Sequence, residues 1–335
     1  MRRVFISLMV GILAMALLLF GANLWWLQEP MPLRLQPGNP VIDLEIEPGT
    51  SANGVASAVV ASGADVPAVL LQTWFRFSGQ ARQIKAGSYE LAPGTTPRKL
   101  LRMLVRGEEA VKSVTLVEGW TFLQVRAALQ KAEQLTSDTL ALSPEIIMEK
   151  LEKPGIHPEG RFFPENYTYA KGSSDLAVLK RAARAMDRRL DAAWSLRSSN
   201  SPLQTAEQAL ILASIVEKET GKPSDRAQIG GVFSNRLRIG MPLQTDPTVI
   251  YGLGTKFDGN LRRRDLQTDT PYNTYTRPGL PPTPIAMPGK AALLAAVQPA
   301  STKALYFVSR GDGSSEFSAN LDEHNRAVNK YLRGR

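Results

Sequence analysis

Two acids two residues apart, Glu217 and Glu219, close an apolar run from Ala209 to Val216 that only Ser214 interrupts. An apolar segment delivering a carboxylate to a polar groove raises the carboxyl pKa, as a general acid working near neutral pH requires. At about 100° per residue the two side chains point to nearly opposite sides of a helix, so one cleft takes only one of them. Glu217 lies above Ala213, Leu210 and Ala206, and Glu219 above Ile215 and Leu212. The stripe of mostly small residues leaves room for a substrate and selects Glu217. The bland alternative makes both glutamates exposed residues of a last helical turn.

Composition removes other chemistries. The 335-residue chain has no cysteine, so disulfides, thiolate catalysis and cysteine-held metals are excluded. Its two histidines, His157 and His324, stand far apart and outside any HExxH context, which argues against a Ser-His-Asp triad or a histidine-rich metal site. A formal net charge of +9 suits an anionic polymer, a membrane surface or a polyanion. The basic residues are scattered, and no zinc-finger spacing, RNA-binding aromatic signature or recognition-helix pattern accompanies them, so nucleic acid is not an expected partner.

The elements that must hold the acid follow from periodicity. Residues 205–220 predict a buried helix with Gly221 as its C-cap, and 224–240 a second helix capped by Ser224 or Asp225, with Ile229, Val232, Phe233 and Leu237 as its apolar stripe. Asn235, Arg236 and Arg238 fall near its end. Asp246-Pro247 reads as N-cap and first helical residue, while Gln244 and Thr245 offer the neutral donors and acceptors that sugar hydroxyls and acetamides need. Residues 269–289 form a Pro-rich ordered loop; a helix over 289–297, a strand over 304–309, a Gly/Ser turn and a helix over 321–332 close the chain.

Upstream, residues 4–27 are charge-free over about 24 positions, past the ~20 that span hydrocarbon as a helix. A cleaved signal peptide is the rival reading, but the run is too long and no A-x-A-like site follows. Arg2 and Arg3 put the three-residue tip, 1–3, in the cytoplasm and everything after Leu27 outside, with Trp25 and Trp26 at the interface. Residues 28–40, with four prolines, read as a stiff spacer. Strand 41–47, helices near 52–60 and 66–77, strand 84–91 and helix 97–107 make one small unit over 41–110 with two P-G-T turns and no catalytic cluster. A third strand-turn-helix start, 111–121, opens the larger domain, 111–335; helices at 121–133, 144–152 and 176–196 follow, the last capped by Ser174 or Asp175. Between them, Phe162, Phe163, Tyr167 and Tyr169 could stack on sugars, but such clusters are more often core.

The strings I211LASIVEKET220, V232FSNRLRIGMPLQTDPTVIYGLG254, P271YNTYTRPGLPPTPI285 and E323HNRAV328, with weaker K85AGSYEL91, V117EGWT121 and E159GRFFPENY167, resemble the YceG/MltG-type endolytic murein transglycosylases over nearly the whole chain. The resemblance implies an α+β fold: a transmembrane helix, a small LysM-like module, then a mixed α+β catalytic domain with a lysozyme-like catalytic helix. It implies Glu217 as the catalytic acid, and a groove in which Asn235, Arg236, Gln244, Thr245, Asp246, Tyr251, Tyr272, Asn273 and Tyr275 bind substrate. It also implies no cofactor or metal, peptidoglycan glycan strands as substrate, cell-wall synthases (penicillin-binding proteins) as companions, and an inner-membrane protein with its catalytic domain outside the cytoplasm. The chain departs from the family pattern at Ser315, where a His commonly precedes the Phe at 317, and at Glu165-Asn166-Tyr167, where the family has Asp-Thr-Tyr.

One firmly placed acid suits a lyase: it protonates the glycosidic oxygen of the MurNAc-GlcNAc β-1,4 bond and then, as base, takes the proton of the muramoyl C6 hydroxyl, giving a 1,6-anhydro end on nascent strands and ending their elongation. Asp246 and Asp269 keep a two-carboxylate muramidase open. A non-catalytic peptidoglycan-binding scaffold is the third reading.

Overall fold

The computed structural model describes residues 9, 11, 14, 15, 18, 21, 22, 24–35, 40–108, 110–219 and 222–333. The chain divides into two units, Met1–Lys112 and Ser113–Arg335. The expected membrane helix over 4–27 and the C-cap Gly221 fall wholly or largely outside the described residues. Of the former, 9, 11, 14, 15, 18, 21, 22 and 24–26 are helical. No helix among the described residues is long and apolar enough to cross a membrane.

In the first unit, β1 (Ile42–Ile46) alternates buried and exposed side chains, as a strand with one face on a core must. It leads through α1 (Ala52–Ala61) and α2 (Ala68–Phe77) to β2 (Gly87–Leu91). The strands pair antiparallel from Ile42 opposite Leu91 to Ile46 opposite Gly87. Helix α3 (Pro97–Arg106) follows, started by the Thr96 hydroxyl on the Lys99 amide with Pro97 in its first turn, and ended by Gly107 in the left-handed conformation (φ 69°). Leu44, Val55, Val59, Leu71, Phe75, Tyr89, Leu91, Leu100 and Leu104 fill the core. Of the expected spacer, residues 36–39 lie outside the described residues, and 31–34 do not stand free: Met31 is buried and its amide bonds the Thr95 carbonyl, and the Arg34 amide bonds the Gly63 carbonyl.

The second unit opens with β3 (Val111–Thr115), which starts at the first unit's last residues and pairs with β4 (Asn166–Ala170). Between them run α4 (Phe122–Lys131), started by a Thr121/Gln124 capping box, and α5 (Pro144–Lys150). Strand β4 lies in the aromatic stretch, where no strand was expected; Tyr167 and Tyr169 point inward from it and, with Phe162, are core. Helix α6 (Asp175–Ser195), capped by Ser174, covers this sheet.

Helices α7 (Ala206–Glu219), α8 (Pro223–Arg238) and α11 (Lys290–Val297) make the second core, with α9 (Asp246–Leu253) and the short α10 (Arg263–Gln267) between them in sequence. Contact between α8 and α11 depends on Gly230: a Cβ there would meet the Ala295 carbonyl oxygen at 2.3 Å. Two expected caps differ. Helix α8 begins at Pro223 after Lys222, which leaves Asp225 inside the first turn, its carboxylate taking the Ser315 amide (2.7 Å). Helix α9 begins at Asp246 itself, with Thr245 as N-cap. The chain ends in an antiparallel hairpin, β5 (Tyr306–Ser309) and β6 (Ser315–Ser318), and α12 (Leu321–Val328). The expected Gly/Ser turn thus carries a second strand as well.

Candidate active site

Helix α7 presents its two terminal acids to different surroundings. Ala209 to Val216 are all buried, and Ser214, the one polar residue among them, bonds its own helix at the Ile211 carbonyl (2.7 Å) and takes the Ile285 amide (3.0 Å). The helix is therefore fixed along its length before it delivers either carboxylate.

Glu217 is turned to the start of α11. Its carboxylate accepts from the Gly289 amide (2.9 Å) and from Arg226 of α8 (3.3 Å), with its side chain only 5% exposed. Gly289 precedes α11 and has no side chain to cap it, so Glu217 supplies the acceptor at that helix end, where a negative charge is favoured. Glu118 reaches the same spot: a Cβ on Gly289 would collide with its carboxylate. Burial holds the Glu217 carboxyl above its usual range, against the Gly289 hydrogen bond and Arg226, with Glu118 adding to the rise. Leu210 and Ala213, whose stripe favoured Glu217 in the sequence, are fully buried in the core shared with Ala292, Ala295 and Ala296 of α11. A helix occupies the room that small side chains leave.

Glu219 lines a cavity of about 380 Å³ with Arg236, Gln244, Asp246, Tyr275, Tyr306 and His324. The buried Thr245 donates its hydroxyl to the Glu219 carboxylate. Burial raises the Glu219 carboxyl pKa; the Thr245 hydrogen bond and Arg236 pull it down, and Asp246 adds to the rise. Arg236 is itself fixed: its guanidinium donates to the carbonyls of Leu305 (2.7 Å) and Leu243 (2.8 Å) and lies 5.2 Å over the Tyr306 ring. Tyr275 donates to Asp246 (2.6 Å). Gln244 sits in the left-handed region at φ 48°, rare for a residue with a side chain, and its amide bonds the Thr274 carbonyl (3.0 Å). That strain turns an exposed amide side chain into the groove mouth.

Of the nine residues expected to bind substrate, Arg236, Gln244, Asp246 and Tyr275 share this groove and Thr245 touches its acid. The other four stand elsewhere. Asn235 does not line this cavity and donates to the carbonyls of Thr302 (2.9 Å) and Ala304 (3.0 Å). Asn273 is fully buried, tying Leu266 and Thr268 carbonyls (3.0 and 2.7 Å) and taking the Tyr275 amide (2.9 Å). Tyr251 donates to the buried Glu159 (3.1 Å) and packs edge-on against Tyr272, whose hydroxyl meets Thr283 (2.9 Å). These four hold the loops rather than face the cavity, since each spends its polar atoms on the protein's own backbone or side chains.

Among the groove residues not foreseen are Tyr306 and His324, with rings stacked 5.1 Å apart. Burial and Arg236 lower the His324 pKa. The string E323HNRAV328 pointed to His324, but only the hairpin fold brings α12 back to α7. Asp269, the other candidate second carboxylate, is exposed and paired in two bonds with Arg277 (2.7 and 2.9 Å). Among the described residues no three His, Asp or Glu side chains gather as a metal site.

An α+β protein with a raised-pKa carboxyl at the end of a buried helix, in a groove of amide, phenol and guanidinium groups, belongs to the class equipped for acid-catalysed cleavage of a polar polymer. The chain is a member of the YceG-like family, whose model matches residues 44–330. It is 30% identical over 309 residues to the endolytic murein transglycosylase of Bacillus subtilis, spanning 87% of this chain and 85% of that protein. It is 29% identical over 284 residues to the Streptococcus pneumoniae protein of the same name, covering 74% of this chain and about half (51%) of that longer one. The crystal structure of a YceG-like protein from Listeria monocytogenes superposes with a TM-score of 0.53 at 28% identity, over 86% of this chain and 99% of that one.

Proposed function

We infer that the chain is an endolytic lytic transglycosylase of peptidoglycan, and propose Glu219 as its acid and base. The observation that carries the assignment is the shared cavity: Glu219, and not Glu217, lies with Arg236, Gln244, Asp246 and Tyr275. The sequence favours Glu217 through its small-residue stripe and its motif position. The side-chain surroundings move the proposal two residues on, because the Glu217 carboxylate is engaged at the start of α11.

In the proposed reaction Glu219, its pKa raised by burial, gives a proton to the glycosidic oxygen between MurNAc and GlcNAc. The same carboxylate then removes the C6 hydroxyl proton, and intramolecular attack leaves a 1,6-anhydro end. Thr245 holds the carboxylate in place through both steps, and the braced Arg236 offers a fixed positive charge nearby without titrating. Gln244 and Tyr275 supply donors and acceptors for hydroxyl and acetamide groups.

Asp246 favours a second reading. It shares the cavity with Glu219, and two carboxylates are what a hydrolysing muramidase uses. Mass analysis of the products separates the two: a lyase leaves anhydro ends, a hydrolase leaves ends heavier by one water. Reducing ends throughout the digest would overturn the lyase.

The finer setting also belongs to this proposal. Residues 4–27 anchor the chain in the inner membrane with residues 28–335 outside the cytoplasm, the first unit serves as a LysM-like positioning module, and cleavage of nascent strands beside cell-wall synthases ends their elongation. The charge-free stretch and its flanking arginines and tryptophans support the anchor.

A further inference from the structure

The first unit holds a cavity of about 450 Å³ that the glycan reaction leaves unused, lined by Trp74, Ser78 and Gln80 from α2 and its exit and by Arg98, Arg102 and Arg106 from α3. We propose that this groove docks the anionic phospholipid headgroups of the membrane in which residues 4–27 are anchored, and so fixes the first unit against the bilayer surface. The proposal rests on the anchor described above.

The first support is where the apolar run ends. Leu27, its last residue, is 1% exposed, and its carbonyl takes the Arg98 amide (3.3 Å). Trp26 packs on the same core. The chain therefore leaves the proposed bilayer directly at the first turn of α3, with no free spacer between. From Arg98 to Arg106 the helix rises only about 12 Å, so its arginines stay close to the headgroup layer.

The second support is charge. Arg98, Arg102 and Arg106 recur every fourth residue and share one face of α3, whose ten residues include Lys99 as well and no acid. Among the described residues, neither the Arg98 nor the Arg102 guanidinium has a carboxylate partner; Arg106 has Glu108 at 3.5 Å. Guanidinium groups meet phosphate oxygens in paired hydrogen bonds, which makes arginine suited to a phosphodiester.

The third support is the apolar rim. The Trp74 indole N–H is buried with no hydrogen-bond partner. On the same helix Val69 (66%) and Phe77 (81%) are exposed. Aromatic and aliphatic side chains beside a basic row are how a helix sits at the boundary between headgroups and acyl chains. A soluble polyanion would use the arginines but has no use for Phe77.

The absence of native cysteine allows single-site labelling. The full chain is placed in nanodiscs of phosphatidylcholine alone or with phosphatidylglycerol, carrying a polarity-sensitive dye at Gln80→Cys or, separately, at Trp25→Cys. The Gln80→Cys dye is expected to shift to the apolar side only with phosphatidylglycerol, and to lose that shift in high salt. Adding Arg98→Gln and Arg102→Gln is expected to weaken engagement roughly fivefold per arginine, with glycan cleavage unchanged. An equal signal in both lipids, or one indifferent to the two arginines, overturns the proposal while a bilayer-immersed Trp25→Cys dye leaves the anchor standing. A Trp25→Cys dye that stays in water overturns both. Inorganic phosphate reproducing the shift in detergent would make the groove a free-anion site and overturn the headgroup assignment.

Discussion

The Thr245 hydroxyl donates to the Glu219 carboxylate, joining the N-cap of α9 to the end of α7. The contact spans 26 residues of sequence and turns an acid at a helix end into one held inside a groove. Its partner two residues earlier, Glu217, is held just as firmly but by the start of α11. Separating these two acids is the first test.

Glu219→Gln is expected to lower glycan cleavage about 10³-fold with the melting temperature nearly unchanged. Glu217→Gln is expected to keep cleavage within about tenfold and to lose about 2 kcal/mol of stability, since Arg226, its side chain only 14% exposed, is left without its carboxylate. Muropeptide release and thermal unfolding of both variants decide the matter; the opposite pattern returns the role to Glu217.

Thr245→Val keeps the shape and removes the donor. Because that hydrogen bond lowers the Glu219 pKa, its loss moves the carboxyl higher, and the alkaline limb of the kcat/KM profile shifts to higher pH. An unmoved limb would show that Glu219 does not set it.

Glu159 predicts a pH effect on stability rather than on rate. It is buried between the Phe122 amide (2.9 Å) and Tyr251, and burial raises its pKa from 4.5 to about 7. Between those values the folded protein keeps a proton that the unfolded chain has released. Stability therefore falls as pH rises through this window, by roughly 3 kcal/mol in all, and levels off above it. Urea midpoints from about pH 5 to about pH 8 should decline more steeply in the parent than in Glu159→Gln, which keeps the raised carboxyls of Glu217 and Glu219.

Gly230→Ala tests the packing that supports α7. With the Ala295 carbonyl 2.3 Å from the added carbon, α8 and α11 must separate, at a cost of about 3 kcal/mol. Unchanged stability would mean that the two helices can move apart freely.

Much of this was legible in the chain. Apolar periodicity gave the helices, and Thr96-Pro97 and Ser174 marked helix starts at the residue where the backbone needs an acceptor. The 200° between residues 217 and 219 showed that a single cleft could not take both acids. The aromatic quartet at Phe162, Phe163, Tyr167 and Tyr169 read as core and is buried. Strands β4 and β6 were less visible, because each is four or five residues long and pairs with a partner far away or across a glycine-rich turn.

The sequence by itself determined the elements, the α+β class and the pair of candidate acids, because caps, periodicity and chemistry are properties of neighbours along the chain. Only the tertiary structure decided which acid meets a groove. The small residues below Glu217 were an ambiguous signal, equally suited to admitting a substrate and to admitting α11, and long-range packing resolved it. In the same way Asn235 and Asn273 have the chemistry to bind sugar, but the fold spends it on backbone carbonyls, while His324 reaches Tyr306 and the groove only because the last helix folds back.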